Sequence, residues 1–388
     1  MVRTMFRKTG SQLSPVNRGL YLVSTGLLPA VWMFACVTSA WGQQAAIVSS
    51  QYIYEKAPFP ECHASTLVMA PNGKLVAAWF GGTEEGNDDV EIWFSSHDKD
   101  TKSWAAPSRV ADGVYEGKRY PCWNPILVAQ GQELILFYKV GPSPSTWWGM
   151  WKKSKDSGST WSSAQRLPEN ILGPIKNKPI LLKDGSWLCG SSSEHDGWRA
   201  HVEIVGADLS NWKFIGPLNK KNETESIQPT FLRLKDDSIL MLCRTKTAQK
   251  ISMTLSKDQG QTWDKLSLID LPNPNSGIDA VTLKDGRHLL LYNHTVRDPN
   301  RRGADRAQLN LAVSSDGIHW SAVAQLENEE KGEFSYPAII QGNDGLVHAT
   351  YTWNRQKVRY TVLDPQKIKG VPIQDAKWPS DASVLLKP

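Results

Sequence analysis

Short apolar runs separated by tight turns recur along most of the chain, and this pattern predicts β-strands. Each of six segments consists of an apolar run, a turn rich in glycine or aspartate, and a second apolar run. Asn-Gly and Asp-Gly pairs between such runs are typical of tight hairpins. No long stretch has the 3.6-residue periodicity of an amphipathic helix, so the pattern indicates an all-β chain. The six turns are Asn72-Gly73, Gln130-Gly131, Asp184-Gly185, Asp236-Asp237, Asp285-Gly286 and Asp344-Gly345.

A second motif, S-x-D-x-G-x-T-W (the Asp box), alternates with these hairpins. Its serine and aspartate can tie a turn through hydrogen bonds from side chain to backbone. Two copies are full, one is shortened and two are degenerate, and their tryptophans are spaced 57, 51, 51 and 57 residues apart. We expect a structural role for the box, with its tryptophan packed between neighbouring units. The copies end at Trp104, Trp161, Trp212, Trp263 and Trp320.

Two hairpins in each period of about 50 residues give four strands per unit, and the hairpins define six units. This arrangement predicts a six-bladed β-propeller of four-stranded antiparallel blades. The sixth Asp box is absent, and we expect a strand near Gln51 to Lys56 to complete the last blade instead. Residues 43–388 would then form a single propeller domain.

The antiparallel rule places several polar residues at one end of this propeller. If the hairpin turns lie at the bottom, the starts of strand one, the ends of strand two and the starts of strand three all lie at the top. Polar groups that converge on one mouth indicate a site for a small ligand. The residues predicted there are His63, Asn124, Glu225, Asp279 and Tyr336 near strand-one starts, Arg244 at a strand-two end, Arg306 at a strand-three start, and Asp88 in the acidic loop of the first unit.

The first 42 residues have a different character and predict a cleaved signal peptide. They contain four basic residues and no acidic ones, and an apolar stretch runs from Gly19 to Val37. Small residues at Ala40 and Gly42 favour cleavage before Gln43. We therefore expect a protein exported to the periplasm or beyond, without a membrane span after cleavage. A membrane anchor, or a lipoprotein attached through Cys36, is favoured less by this pattern.

The net charge and the cysteine content limit the classes of partner and cofactor that the sequence favours. The formal net charge is +5, and four of these charges belong to the predicted signal peptide, so no charge argument favours nucleic acid. No cysteine pair has the CxxC spacing of a zinc or redox site, and we expect no metal or other cofactor. Cys62 and Cys122 hold matching places in neighbouring units, and the sequence leaves open whether they form a disulfide. Cys189 and Cys243 lie in apolar runs that are typical of buried thiols.

The Asp boxes and the six-unit pattern resemble the sialidase (neuraminidase) superfamily, and more closely the bacterial sialidase-like BNR proteins, over residues 55–365. The resemblance implies that Tyr336, in Phe-Ser-Tyr-Pro, is the nucleophile and that Glu225 activates it. It implies that Asp88 is the acid/base, with Asp89 as a near alternative. It also implies that two arginines grip the substrate carboxylate, namely Arg244 in Leu-Cys-Arg-Thr and Arg306 in Arg-Ala-Gln-Leu.

One position departs from the family pattern. The family has an Arg-Ile-Pro motif at the start of the first blade, whereas this chain has Cys62-His63-Ala64 there. A neutral histidine holds a carboxylate less firmly than a bidentate arginine does. An acidic sugar other than sialic acid, or a neutral sugar, is therefore compatible with this site. Asn124 and Asp279 are further candidates for contact with the substrate.

The sequence thus predicts an exo-acting, retaining, sialidase-like glycoside hydrolase whose partner is a glycan with a terminal acidic sugar. A neutral phenol suits such a sugar, because the carboxylate beside its anomeric carbon would repel a carboxylate nucleophile. Two other functions fit the same pattern. One is another carbohydrate-active enzyme on the same propeller, either a different glycosidase or a uronate-directed polysaccharide lyase that uses His63 and Tyr336 as base and acid. The other is a glycan-binding propeller without catalysis. The sequence does not specify the oligomeric state.

Overall fold

The computed structural model of this protein describes residues 46–298, 300 and 303–380. Six antiparallel sheets follow one another along the chain. First strands pack against each other between blades 1 and 2, 4 and 5, 5 and 6, and 6 and 1, and the second strand of blade 3 packs against the first strand of blade 4. This six-bladed β-propeller confirms the predicted fold. The predicted signal peptide lies outside the described residues. None of the described residues belongs to a helix with the length and apolar character that crossing a membrane requires.

The first three blades contain the following strands in chain order. Blade 1 has Glu61–Met69, Leu75–Gly82, Glu91–Asp98 and Ser108–Ala111, with Ser103–Trp104 also beside its third strand. Blade 2 has Cys122–Gln130, Glu133–Val140, Trp148–Ser154 and Gln165–Arg166. Blade 3 has Ile180–Leu181, Trp187–Ser193, Arg199–Val205 and Trp212–Ile215. A small hairpin between blades 1 and 2 pairs Val114–Tyr115 with Lys118–Arg119.

The last three blades follow the same plan. Blade 4 has Ser226–Arg233, Ile239–Thr245, Lys250–Ser256 and Ser267–Pro272. Blade 5 has Asp279–Thr282, His288–Tyr292, Gln308–Ser314 and Trp320–Asn328, extended by Val371–Pro372. Blade 6 has Phe334–Gln341, Val347–Trp353 and Lys357–Leu363, and a single 3-10 turn, Pro365–Lys367, follows it.

A strand from the start of the described chain completes blade 6. Ile47–Tyr52 pairs antiparallel with Lys357–Leu363, so the two ends of the domain share one sheet. The predicted closure is confirmed, although the strand begins a few residues earlier than Gln51. Pairing residues about 300 positions apart joins the first blade to the last and closes the ring.

The Asp boxes are structural, as predicted. In blade 2, Ser154 Oγ accepts a hydrogen bond from Gly158 N at 2.7 Å, and the Asp156 carboxylate accepts one from Thr160 N at 2.8 Å. Bonds from the hydroxyl and backbone N–H of Thr160 lower the pKa of Asp156 to about 2. The Trp161 ring lies 5.8 Å from that of Phe94 in blade 1, so the box also seals the contact between blades.

All four cysteines of the described chain are free, buried thiols. A disulfide between Cys62 and Cys122, which the sequence left open, is therefore not formed in this structure. Both side chains lie in apolar cores between blades, and burial raises the pKa of the Cys122 thiol well above its ordinary value. These thiols act as small apolar groups in packing.

Four of the first strands carry a β-bulge near their top end, and each bulge contains a non-glycine residue with positive φ. The pairing register shifts there in blades 1, 2, 4 and 6. A bulge redirects side chains, and positive φ in a non-glycine residue often marks a functional site. The bulges therefore turn one residue per blade away from the regular alternation. These residues are Ala64 (53°), Asn124 (33°), Gln228 (57°) and Tyr336 (50°).

Candidate functional site

Tyr336 lies at the point where side chains from five blades meet. Its phenol oxygen accepts a hydrogen bond from Arg244 Nη1 at 2.6 Å and a longer one from Gln228 Nε2 at 3.4 Å. The buried Arg244 guanidinium is held between two rings, 4.8 Å from the Trp198 centroid and 5.5 Å from the Tyr336 centroid. The structure thus brings Tyr336 and Arg244 into direct contact.

Two further cations surround the Tyr336 ring. Arg306 Cζ lies 5.8 Å from the ring centroid, and Lys176 Nζ lies 5.7 Å from it. The buried Lys176 ammonium donates to the carbonyls of Ile278 and Pro337, and its burial lowers its pKa to about 7. With Arg244, these groups surround the Tyr336 ring with hydrogen-bond donors that can carry positive charge, which suits an anionic ligand. We call Tyr336, Arg244, Gln228, His63, Lys176 and Arg306 the axial cluster.

His63 packs directly against the nucleophile candidate. Its ring centroid is 4.1 Å from that of Tyr336, and its Nδ1 lies 2.9 Å from Thr352 Oγ1. Burial lowers the pKa of His63 well below its usual range, so the imidazole is neutral at pH 7. Its Nε2 atom is buried and has no hydrogen-bond partner among the described residues. His63 therefore supports the phenol ring and adds no charge to the cluster.

An ion-pair chain that the sequence did not indicate holds Arg306 in place. Glu333 Oε1 lies 2.8 Å from Arg306 Nη1, and Glu333 Oε2 lies 2.9 Å from Arg355 Nε. Arg355 also pairs with Glu85 from the acidic loop of blade 1. Burial acts to raise the pKa of Glu333, but the interactions with His63, Arg306 and Arg355 outweigh it and lower the pKa to about 2. Arg355 follows strand two of blade 6, and the antiparallel rule places the end of each second strand at the top. The sequence could therefore have indicated Arg355 as a residue near the site.

Glu225 does not contact Tyr336 in the described structure. Its carboxylate accepts hydrogen bonds from Trp198 N at 3.0 Å and from Lys246 Nζ at 3.2 Å. The polar side chain that reaches both Tyr336 and Arg244 is Gln228, whose Oε1 lies 3.1 Å from Arg244 Nη1. An amide therefore stands where the sequence analysis expected a carboxylate, and activation of the phenol by Glu225 remains a prediction.

The structure distinguishes the two aspartates of the blade 1 loop. The Asp89 carboxylate accepts hydrogen bonds from Thr83 N at 3.0 Å and Thr83 Oγ1 at 2.8 Å, so Asp89 shapes its own loop. Asp88 is exposed, and its backbone carbonyl accepts a bond from Arg119 Nε at 2.8 Å. That bond fixes the backbone while the carboxylate stays at the surface. Of the two, Asp88 is the one available to a ligand.

The two remaining candidates, Asn124 and Asp279, are both buried. Asn124 is 5 % exposed in the bulge of blade 2 and lies beside Trp123, whose indole N–H donates to the Gly141 carbonyl. Asp279 is 1 % exposed, and its carboxylate binds groups from three other blades. These contacts do not favour the predicted contact of Asp279 with substrate. The partners of the carboxylate are Lys178 Nζ at 2.8 Å, Thr230 Oγ1 at 2.7 Å and Ile339 N at 2.9 Å.

Over the described ranges, no group of three or more histidine, cysteine, aspartate or glutamate side chains is arranged to hold a metal ion. The polar atoms of the axial cluster that face one another are amide, phenol and guanidinium groups. Guanidinium groups are hydrogen-bond donors without acceptor capacity, so they suit a carboxylate or another oxyanion. The chemistry open to this cluster is therefore anion binding combined with proton transfer or nucleophilic attack at Tyr336.

The ion-pair chain gives a testable dependence of stability on pH. The pKa of Glu333 is about 2 in the folded chain, below its ordinary value of 4.5. Its stabilising effect, about 3 kcal/mol, is therefore present above pH 4.5 and lost as the pH falls towards 2. We expect Glu333→Gln to lower the free energy of unfolding at pH 6. The difference in this free energy between the variant and the unsubstituted protein should decrease to near zero as the pH falls. Urea unfolding at pH 2 to 6 measures this.

The matched control for this experiment is Glu169→Gln. Glu169 also pairs with an arginine, Arg166, at 3.2 Å, but its side chain is 78 % exposed. Exposed pairs contribute less than about 1 kcal/mol, so this variant should follow the unsubstituted protein at every pH. A Glu333 variant whose stability difference stayed constant over this range would contradict the assignment.

Together, the six blades, the Asp boxes and the cationic mouth around a tyrosine define this protein as an Asp-box propeller. The BNR repeat-like domain family matches residues 73–349, and the chain belongs to this family. No curated protein sequence matches the chain.

Three solved structures illustrate the likeness of fold. A Dyadobacter fermentans protein of unknown function is 16 % identical, with a TM-score of 0.66 over 83 % of this chain and 99 % of that one. The intramolecular trans-sialidase from Ruminococcus gnavus is 13 % identical, with a TM-score of 0.66 over 84 % and 99 %. The NanB sialidase from Streptococcus pneumoniae is 13 % identical, with a TM-score of 0.64 over 82 % and 71 %. Identities this low show a shared sialidase-like fold and leave the substrate open.

Proposed function

We propose that this protein is an exo-acting, retaining glycoside hydrolase that releases a terminal acidic sugar from glycans. The observation that carries the proposal is the Tyr336 phenol oxygen, which receives a hydrogen bond from Arg244 while Arg306 and Lys176 lie near its ring. Such a site offers a nucleophile and a carboxylate-binding surface in one place. Sialidases and a trans-sialidase among the structures of similar fold support the same class of reaction.

In the proposed reaction, the Tyr336 oxygen attacks the anomeric carbon as the bond to the leaving oxygen breaks. Asp88 gives its proton to the leaving oxygen and later removes a proton from the water that releases the sugar. Both neighbours of the phenol oxygen, Arg244 and Gln228, donate hydrogen bonds to it. We propose that Glu225 is the base that takes the phenol proton, as the sequence analysis predicted, and that the two donors stabilise the negative charge that develops on the oxygen. Arg244 and Arg306 bind the sugar carboxylate.

One observation favours a second candidate, a uronate-directed lyase. The phenol oxygen of Tyr336 accepts hydrogen bonds from the Arg244 guanidinium and the Gln228 amide, and no described carboxylate forms a hydrogen bond with it. Elimination requires a base and a neutralised substrate carboxylate, and it requires no covalent intermediate. In this reaction the neutral His63 takes the proton from the sugar, Tyr336 gives its phenol proton to the leaving oxygen, and Arg244 neutralises the substrate carboxylate.

A release screen separates these functions. The protein is incubated with a panel of acidic oligosaccharides, while new reducing ends and ultraviolet absorbance are followed in the same samples. Hydrolysis gives reducing ends without absorbance, whereas elimination leaves an unsaturated sugar that absorbs. If neither signal appears while calorimetry shows tight binding, the propeller is a glycan-binding protein and the proposed hydrolase is wrong.

We also propose that the chain is exported and cleaved before Gln43. The basic start, the apolar stretch and the small residues at Ala40 and Gly42 support this proposal. Expression in a bacterial host followed by the intact mass of the periplasmic or secreted product tests it. A product that retains the first 42 residues would contradict the cleavage.

A further inference from the structure

The turn between strands two and three of blade 6 has a conformation that its sequence does not favour. Gln356 N donates to the Trp353 carbonyl at 3.1 Å, and the two central residues, Asn354 and Arg355, have positive φ values of 48° and 55°. A turn of this kind favours glycine at its second central position, where this chain has an arginine. Backbone strain at a non-glycine residue often marks a functional position, which here is that of Arg355.

Contacts from two neighbouring segments hold this strained turn in place. The Arg355 carbonyl accepts a hydrogen bond from Cys62 N in blade 1 at 2.6 Å. Asn354 N donates to the Glu333 carbonyl at 2.7 Å, and the side-chain oxygen of Asn354 accepts a bond from Glu333 N at 2.9 Å. The backbone of Arg355 is therefore fixed relative to the starts of the first strands of blades 1 and 6.

The Arg355 guanidinium joins blade 6 to the acidic loop of blade 1. Its Nε donates to Glu333 Oε2 at 2.9 Å, and its Nη1 pairs with the Glu85 carboxylate. The side chains of Arg355 and Glu85 are only 26 % and 31 % exposed, so water and salt screen this pair less than an ordinary surface pair. The pair thus connects a fixed backbone position in blade 6 to a loop of the neighbouring blade.

That loop, residues 83–89, carries Asp88, the acid/base of the proposed reaction. Hydrogen bonds between its first and last residues close its base. Two further contacts attach it to other segments: Glu85 pairs with Arg355, and Arg119 Nε donates to the Asp88 carbonyl at 2.8 Å. The loop is therefore bound to blade 6 at Glu85, and to the hairpin between blades 1 and 2 at Asp88 itself.

The position of Asp88 depends on these backbone attachments. Asp88 is exposed, and Gly86, which lies between it and Glu85, has a φ of 95°. A general acid must lie within hydrogen-bond distance of the leaving oxygen, and a displacement of about 1 Å can lower a rate by about a hundredfold. Without the ion pair at Glu85, only the bond from Arg119 would attach the outer part of the loop to another segment.

We propose that Glu85 and Arg355 are positioning residues for proton transfer. Their ion pair attaches the acidic loop of blade 1 to the strained turn of blade 6 and thereby holds Asp88 at the leaving oxygen. The inference rests on the proposed function, because it takes Asp88 as the acid/base. The two residues then act on the departure of the leaving group through Asp88, without touching the reacting atoms themselves.

The test compares kcat/KM of the Glu85→Gln variant for two substrates of the same acidic sugar. One is the oligosaccharide identified by the release screen, whose leaving oxygen needs a proton. The other is the 4-nitrophenyl glycoside, whose phenolate leaves without one. We expect kcat/KM to fall about tenfold for the oligosaccharide and less than about twofold for the aryl glycoside. A similar fall for both substrates, or no fall for the oligosaccharide, would overturn the inference.

Glu84→Gln is the matched control. Glu84 is the neighbouring carboxylate of the same loop, but it is exposed and is not the one that pairs with Arg355. Its substitution removes the same charge and should leave both kcat/KM values unchanged. Arg355→Gln should show the same dependence on the leaving group as Glu85→Gln. The double variant should lose no more than Arg355→Gln alone, because both residues act through one contact, and additive losses would contradict this.

The Asp88→Asn variant separates a failure of this inference from a failure of the proposed function. It should show the same dependence on the leaving group in a stronger form, about a hundredfold for the oligosaccharide. If Asp88→Asn shows this dependence and Glu85→Gln does not, the inference is wrong and the proposed acid/base stands. If neither variant shows it, the role of Asp88 in the proposed function is wrong, and the inference fails with it.

Hydrogen–deuterium exchange tests the attachment of the loop without turnover. Within the loop, Asn87 N donates to the Glu84 carbonyl at 3.1 Å, and Val90 N donates to the Asn87 carbonyl at 3.0 Å. We expect the peptide that covers residues 83–90 to exchange about threefold faster in Glu85→Gln than in the unsubstituted protein or in Glu84→Gln. Equal exchange in all three proteins would overturn the attachment, whatever the activity measurements show.

Discussion

Replacement of Tyr336 by phenylalanine is expected to reduce turnover by about a thousandfold or more, because loss of a nucleophile removes the covalent route. The substitution deletes one oxygen and keeps the ring. The ring packs against His63 at 4.1 Å, and this contact does not depend on the hydroxyl. The substitution removes one acceptor from the buried Arg244, but Arg244 Nη1 keeps its hydrogen bond to Gln228 Oε1 at 3.1 Å. We therefore expect a small decrease in the thermal unfolding midpoint, while the rate of sugar release collapses.

The measurement is kcat for the substrate found in the release screen, with thermal unfolding recorded on the same samples. Tyr52→Phe is the control, since Tyr52 lies on the outermost strand of the same blade and packs against Trp353 rather than the axial cluster. It should retain full activity. A Tyr336→Phe variant that also retained its rate would refute the assignment of Tyr336 in both the hydrolase and the lyase.

A covalent trap distinguishes the hydrolase from the lyase, since both depend on Tyr336. A fluorinated analogue of the acidic sugar slows the second step of a retaining mechanism, so the sugar should accumulate on the nucleophile. Mass spectrometry of a digest should then show the added mass on the peptide that contains Tyr336. Turnover of the natural substrate without an adduct on this peptide would favour elimination over covalent catalysis.

The fold could be predicted from the sequence because its determinants are local. Each Asp-Gly or Asn-Gly turn specifies a hairpin within a few residues, and each Asp box closes its own turn through the serine and aspartate of the motif. The antiparallel rule then brings His63, Arg244, Arg306 and Tyr336 to the same end of the propeller. The structure indeed gathers these four around the axis.

Two parts of the site were not predicted from the sequence. One depends on the backbone conformation of a bulge, and the other on ion pairs between residues far apart in the chain. The bulge at Gln228 sets φ to 57° and aims this side chain at Tyr336, whereas spacing alone pointed to Glu225. Glu333 and Arg355 form an ion pair although they lie 22 positions apart, and Arg355 also pairs with Glu85 from blade 1. Neither a bulge nor a contact across the ring leaves a periodic pattern in the sequence.

The repeated bulges suggest how the propeller organises its ligand site. A left-handed non-glycine residue costs about 1–3 kcal/mol, and the ring carries one in each of four first strands. Three of them (Asn124, Gln228 and Tyr336) are polar and are followed by proline. We infer that the left-handed conformation at these positions lowers stability but turns each polar side chain towards the axis, out of the regular alternation of the strand.

The second large effect is expected for stability when Asp279 is replaced by alanine. The Asp279 carboxylate is 2 % exposed and joins Lys178 from blade 3, Thr230 from blade 4 and the Ile339 N–H from blade 6. Removing it leaves the partly buried Lys178 ammonium with only the Ala280 carbonyl as an acceptor. It also takes an acceptor away from Thr230 Oγ1, Ile339 N and Ala280 N. Breaking a buried pair in this way costs about 3–5 kcal/mol. We expect urea unfolding to show a loss of this size.

Asp270→Ala is a matched control for Asp279→Ala. Asp270 also pairs with a lysine, Lys250, at the same 2.8 Å, but its side chain is 64 % exposed, so its loss should cost less than about 1 kcal/mol. Asp279→Asn keeps an acceptor for Thr230 and should fall between the two variants, which leaves a measurable protein if the alanine variant does not fold. If Asp279→Ala instead raised the KM and left the stability unchanged, the carboxylate would be a substrate ligand, as the sequence analysis predicted. The contact between these blades would then be stabilised by the remaining backbone contacts.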